Sequence, residues 1–211
     1  MDFLRRFTRD APACTVLILV CVAVFVVEVG QSGSLADPVG VYGGGSDLAW
    51  SLMMVATDIT DGHEWWRLVT SALVHLNITH LLLNMLLIML LGRELERAYG
   101  TRTVAVSMVF CAVGGSLGAL WFAPDHAVGG ASTIGYGMFA MLVGLSVTRR
   151  TDVRGPLVLI GVNLAFSVTT GGVSLAGHLG GLAAGALIAL VLWWRYRPGT
   201  TSSPWSSAGR R

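Results

Sequence analysis

The residues of this chain that are able to do chemistry sit where polar groups are costly. HLNITHLLLNM, residues 75–85, opens an apolar run that continues LLIMLLG, yet it carries His75, Asn77, His80 and Asn84. GGASTIGYG, residues 129–137, holds Ser132 and Tyr136, and SLAGHLGGLAAG, residues 174–185, holds His178. A serine hydroxyl and an imidazole held together allow acyl transfer. The imidazole takes the hydroxyl proton as the serine attacks a carbonyl, then returns it to the leaving amine. The tetrahedral intermediate needs hydrogen-bond donors for its oxyanion. His80, Asn84 and the Ser132 backbone N–H are candidates for that task. No Asp or Glu lies at a comparable depth beside His178, so the pattern favours a Ser-His dyad over a triad.

These residues need elements to position them, and the composition says which kind. Of 211 residues, 54% are hydrophobic and 12% charged, with a mean hydropathy of +0.68. A soluble domain usually carries about twice that charged fraction. Six apolar spans can be placed, at about 11–28, 77–92, 103–122, 130–148, 155–171 and 175–194. The expected fold is an all-α, polytopic membrane protein. The first span follows MDFLRRFTRD (1–10) and reads as a retained transmembrane helix rather than a signal peptide. Residues 29–76 are Gly-rich but contain LAWSLMMV and EWWRLVTSALV, which fits a structured loop in the membrane interface. Residues 195–211 read as a disordered tail.

Orientation follows from the basic residues, all fourteen of which are Arg, a bias that points to a GC-rich, bacterial genome. With both termini cytoplasmic, thirteen of the fourteen lie inside and only Arg67 lies outside, as the positive-inside rule requires. Arg67 must then be held by local contacts in its loop. A net charge of +2 gives no reason to expect nucleic acid as a partner. Cys14, Cys21 and Cys111 lie within apolar runs with no His or carboxylate beside them, which reads as packing rather than as a disulfide or metal site. No cofactor is expected.

In this topology the even-numbered spans enter from the outside. His80 and Asn84 then fall in the first turns of span two, Ser132 in the first turn of span four, and His178 in the first turns of span six. At about 1.5 Å per residue each lies within roughly 10 Å of its helix's outer end. His80 and Asn84, four apart, share a face. Structural readings compete at each position. Ser132 could be a small residue for close helix contact, and Ser116 sits at similar depth. His178 could be a hydrogen-bonded structural residue or a proton relay, and His80 with Asn84 could join helices. His75 and Asn77 precede the helix and read as entry structure, Asn77 as an N-cap. Gly177, Gly181 and Gly185, and Gly114 and Gly118, recur every four residues and suit close helix packing. Asn163 and Ser167 in span five receive no role.

The ordered set of motifs resembles the rhomboid family of intramembrane serine proteases. EWWRLVTSALVH is similar to its Trp-Arg loop at Trp66 and Arg67, and HLNITHLLLNM to its His-x4-His-x3-Asn pattern at His75, His80 and Asn84. GRELERAYG resembles the close of its second helix, including Glu96. GGAST matches Gly-x-Ser at Gly130 and Ser132, Tyr136 stands where the family has an aromatic, and AGHLGGLAAG resembles its last His motif at His178. The resemblance spans about residues 63–190. It implies a six-transmembrane-helix rhomboid-like bundle and a dyad of Ser132 (nucleophile) and His178 (general base and acid). It also implies an oxyanion site of His80, Asn84 and the Ser132 amide, with Tyr136 packed on the His178 ring. Trp66, Arg67, His75, Glu96 and Gly181 read as structural. The implied substrates are single-span membrane proteins cut in or near their span. One position departs: Thr133 follows the nucleophile where the family usually has Gly, and its side chain is expected to crowd the substrate or the helix packing. Two rivals follow, a catalytically inactive rhomboid-like binder of membrane proteins, supported by Thr133, and a small transporter. The transporter lacks a carboxylate in mid-span, Glu28 lying at the end of the first.

Overall fold

The computed structural model describes residues 2–169 and 173–197. An amphipathic helix, α1 (Asp2–Asp10), leads into α2 (Pro12–Ser32). Three short helices follow, α3 (Asp47–Leu52), α4 (Ala56–Thr60) and α5 (Arg67–Thr70), and then a 3-10 turn at Ser71–Leu73. The remaining helices are α6 (Ile78–Tyr99), α7 (Thr101–Phe122), α8 (Ser132–Arg149), α9 (Arg154–Thr169) and α10 (Leu175–Tyr196). Each of the six apolar spans corresponds to one of α2 and α6–α10. Four of these, α2, α6, α7 and α10, are long and apolar enough to cross a bilayer. At 18 and 16 residues, α8 and α9 are shorter. The outward faces of α2, α6, α7 and α10 carry exposed apolar side chains, such as Leu19, Leu83, Phe110 and Leu190, which suits a hydrocarbon solvent. The chain is an all-helical, multi-pass membrane protein.

Helix ends differ from the sequence reading in ways that have physical causes. α2 continues to Ser32, so Glu28 lies inside the helix and is fully buried rather than at its end. α6 continues past the apolar run to Tyr99, because Arg93, Glu94, Glu96 and Arg97 are good helix formers with partners to meet. Gly100, at φ 82, then reverses the chain so that α7 starts at the next residue. Arg195 and Tyr196 belong to α10 rather than to a tail. The rest of the tail, 198–211, and the last residues expected of span five, 170–171, lie outside the described residues.

The polar residues near the C-terminal end of α6 tie three helices together. Glu96, buried, accepts the backbone N–H groups of Ala13 at 3.1 Å and Cys14 at 2.8 Å, two of the donors that the start of α2 leaves without helical partners. Asp10, where α1 meets α2, accepts Arg93 at 3.0–3.1 Å and Arg97 at 2.9 Å. The Arg93 guanidinium holds the Asp10 carboxyl below the ordinary carboxylate range.

The long segment between α2 and α6 is organised around Arg67. Its buried guanidinium donates to the backbone carbonyls of Trp50 and Met53 and pairs with Asp58 and Glu64. These are the local contacts expected of Arg67. Trp66 beside it is exposed. Met54 and Val128 exchange two backbone hydrogen bonds of 2.9 Å, stitching this loop to the segment ahead of α8.

At the centre α10 lies between α7 and α8, and α6 packs on α8 from the other side. A methyl group on Gly181 would fall 2.2 Å from the Thr133 carbonyl oxygen, and one on Gly185 2.2 Å from that of Gly137. Backbone thus touches backbone along the α8–α10 contact. Against α7, Gly180 meets the Gly114 carbonyl in the same way. The cysteines serve similar contacts, Cys14 against Gly92 and Cys111 against Gly137. Replacing Glu96 by Gln puts an amide NH2 group against one of the two α2 N–H donors. The expected loss is about 1–3 kcal/mol of stability, read as a lower unfolding midpoint in detergent; an unchanged midpoint contradicts the capping role.

Candidate functional site

Ser132 is the first residue of α8, and the chain arrives there under constraint. Gly130 donates its N–H to the Ser71 carbonyl at 2.9 Å and adopts φ 138, a conformation suited to glycine. A methyl group at Gly130 would lie 2.7 Å from His80 Cε1 and 3.5 Å from Ser132 Oγ. The imidazole edge of His80 and the Ser132 hydroxyl therefore flank one small space that a side chain at 130 would fill. As the first helical residue, Ser132 also has a backbone N–H with no acceptor within its own helix.

His178 stands on the second turn of α10, which Ser174 caps by accepting the Gly177 N–H at 3.0 Å. Its Nε2 lies 2.8 Å from Ser132 Oγ. Its ring stacks on Tyr136, one turn into α8, with centroids 4.2 Å apart and planes at 20°. The other ring nitrogen, Nδ1, lies 2.7 Å from Ser167 Oγ on α9. His178 is thus bracketed by two serines. They differ in access: Ser132 is partly exposed, whereas Ser167 is buried and is also bonded to Tyr136 Oη and the Asn163 carbonyl.

Asn77 caps α6 by accepting the His80 N–H at 2.8 Å. His80 Nδ1 accepts the Leu76 N–H at 3.4 Å, which leaves the ring proton on Nε2, the nitrogen nearest Gly130. Asn84, buried one turn on, donates one amide hydrogen to the His80 carbonyl at 2.8 Å and has a second to give. His75 is fully buried outside the helix, its Nδ1 3.1 Å from the Leu73 carbonyl and its ring 5.3 Å from that of His80. Burial pushes the His75 pKa down to about 3, with His80 acting in the same direction. Ser116, the other serine at this depth, is buried and bonded to Ser71 at 3.0 Å. Among the described residues no group of His, Cys, Asp and Glu is arranged to hold a metal.

Thr133 behaves differently from its sequence reading. Its Cβ and Cγ2 occupy the place where a side chain at Gly115 of α7 would stand, each 2.5 Å from that position. The β-branched side chain is buried and turned into α7, where glycine leaves room for it. The structure therefore brings together Ser132, His178, Tyr136, Gly130 and His80, with Asn84 one helical turn away on the His80 face. Trp66, Arg67 and Glu96 lie in the loop and at the far helix ends. Ser167 is the member that sequence reasoning left out.

The Rhomboid domain family matches this chain over residues 62–195. The Rhomboid protease GluP of Bacillus subtilis (strain 168) is 30% identical over 134 residues, which is 61% of this chain and 26% of that protein. Rhomboid-like protease 3 of Toxoplasma gondii is 31% identical over 139 residues, 62% of this chain and 52% of that one. RHOMBOID-like protein 7 of Arabidopsis thaliana is 31% identical over 170 residues, 77% of this chain and 50% of that one. The chain thus belongs to the rhomboid family, and these matches span at most 52% of the three relatives' own length.

Two substitutions test the packing that sets this geometry. Gly181→Ala forces α10 away from the Thr133 backbone. It is expected to lower stability by about 1–3 kcal/mol and to slow labelling of Ser132 by a serine-reactive fluorophosphonate. Normal stability and labelling would contradict the contact. Gly115→Ala collides with the Thr133 side chain, so a double-mutant cycle with Thr133→Gly is expected to show favourable coupling of about 0.5–3 kcal/mol; additive effects would mean the two residues do not meet.

Proposed function

We propose that this chain is an intramembrane serine endopeptidase with six membrane spans and both termini cytoplasmic, acting on single-span membrane proteins in or near their span. The observation that carries this reading is the 2.8 Å approach of His178 Nε2 to the partly exposed Ser132 Oγ at the head of α8. In this mechanism Ser132 Oγ attacks the scissile carbonyl carbon while its proton passes to His178 Nε2. The carbonyl oxygen becomes an oxyanion facing His80 Nε2–H, the free amide hydrogen of Asn84 and the Ser132 N–H. Collapse expels the amine, which takes the proton from His178. Water then attacks the acyl-enzyme with His178 again the base, releasing the second product and restoring Ser132. Tyr136 limits rotation of the imidazole by stacking on it.

The seating of Thr133 against Gly115, turned into α7, supports the protease reading over the inactive binder. The test is proteolysis of a labelled single-span substrate by the purified protein in liposomes. Ser132→Ala is expected to abolish cleavage, and His178→Ala to lower it by at least about 10²-fold. Cleavage that survives Ser132→Ala overturns the assignment of the nucleophile. Substrate binding without cleavage by the wild type, across several substrates, favours the inactive binder instead.

A further inference from the structure

Ser167 is the one buried side chain among the described side chains of α9, the others being exposed or half-exposed. Its hydroxyl oxygen lies 2.8 Å from the Asn163 carbonyl oxygen, 2.9 Å from Tyr136 Oη and 2.7 Å from His178 Nδ1. A serine hydroxyl has one proton to give and two lone pairs to accept with. The Asn163 carbonyl can only accept, so the Ser167 proton goes there. The two lone pairs are left for donors, and both remaining neighbours can donate: Tyr136 through its O–H and His178 through Nδ1–H. This is the one assignment in which all three contacts are hydrogen bonds. Any other sets the Asn163 carbonyl oxygen against a hydroxyl oxygen with no proton between them.

The assignment fixes His178. A neutral imidazole carrying its proton on Nδ1 has its lone pair on Nε2, the nitrogen 2.8 Å from Ser132 Oγ. We infer that Ser167 is a positioning residue, holding His178 in the tautomer that can accept the Ser132 proton; the inference rests on the Ser-His reading above. Ser167 occupies the place that a carboxylate takes in a triad, but as a neutral acceptor. The bond survives the reaction, because Nδ1 stays protonated when Nε2 gains the serine proton. Tyr136 contributes to the same end twice, by stacking on the ring and by donating to Ser167. The hydroxyl at 167 is therefore tied from two helices, α8 and α10, and from its own helix by the Asn163 carbonyl.

Two measurements test this together. Nitrogen-15 NMR of histidine-labelled protein in detergent, with five histidines in the chain, reads the tautomer of His178. The wild type is expected to carry its proton on Nδ1, and Ser167→Ala to populate the Nε2–H form. In the liposome assay, Ser167→Ala is expected to lower kcat by about tenfold or more, the scale of one hydrogen bond, with KM within about twofold of wild type. Ser167→Thr, which keeps the hydroxyl and its bond to the Asn163 carbonyl, is expected to restore most of the rate. A wild-type His178 protonated on Nε2 alone overturns the assignment, whether or not the protein cleaves a substrate and whether or not Ser167→Ala folds. Wild-type kcat in a folded Ser167→Ala protein, with Ser132→Ala dead, overturns it while leaving the protease reading intact. A wild type that cleaves nothing counts against the protease reading, and the NMR result then decides the tautomer by itself.

Discussion

Helix α10 touches α8 through backbone at Gly181 and Gly185, and that contact is the constraint on which the site depends. In lipid there is no hydrophobic force to press helices together, so close van der Waals approach has to do it. Glycine permits that approach because no Cβ stands between the two backbones. Since Gly181 is three residues from His178 and meets Thr133, the residue after Ser132, the contact sets how far the imidazole lies from the hydroxyl. The α7 face of α10 is packed on the same principle at Gly180 and Gly114. The helix bearing the histidine is thus clamped from both sides, and the distance between the His178 imidazole and the Ser132 hydroxyl comes from main-chain geometry rather than from flexible side chains.

The polar residues of the loop and of the helix ends serve a second purpose, holding the head of α8. Arg67 gathers the loop by bonding two backbone carbonyls and two carboxylates. Backbone bonds from that loop, at Met54 and Ser71, then reach Val128 and Gly130, just ahead of Ser132. A buried Arg tolerates its surroundings because its donors are met. The four polar side chains of HLNITHLLLNM divide along the same lines. Asn77 caps the helix and His75 packs beneath the loop, while His80 and Asn84 turn toward Gly130 and their own helical turn.

Much of this was legible because it is local. His80 and Asn84 share a helical face by spacing alone, Ser132 follows a glycine that opens a helix, and a capping Asn at 77 announces where α6 begins. The glycine repeats of α7 and α10 state close packing in one dimension. What was not legible depends on how helices lean against one another. Thr133 reads as an obstruction until Gly115 is seen opposite it. Ser167 receives no role from the sequence, and its bond to the carbonyl four residues back is one that Thr148 and Ser107 also make. Only the approach of α9 to α8 and α10 brings Tyr136 and His178 to its oxygen. The ends of α2 and α6 were misread for a simpler reason: hydropathy marks where lipid stops, not where a helix does.

Placing Ser132, the proposed nucleophile, at the first residue of α8 has a consequence for how this protein can vary. The chain between the end of α7 at Phe122 and Gly130 is loop, and a loop can lengthen or shorten without turning the helix that follows. Past Ser132 the helix register is held by α10, and a single inserted residue rotates everything before it by about 100°. Length changes between α7 and α8 therefore leave the hydroxyl facing His178, whereas one between Ser132 and Gly137 turns it away. The boundary between tolerant and intolerant chain falls at a single glycine.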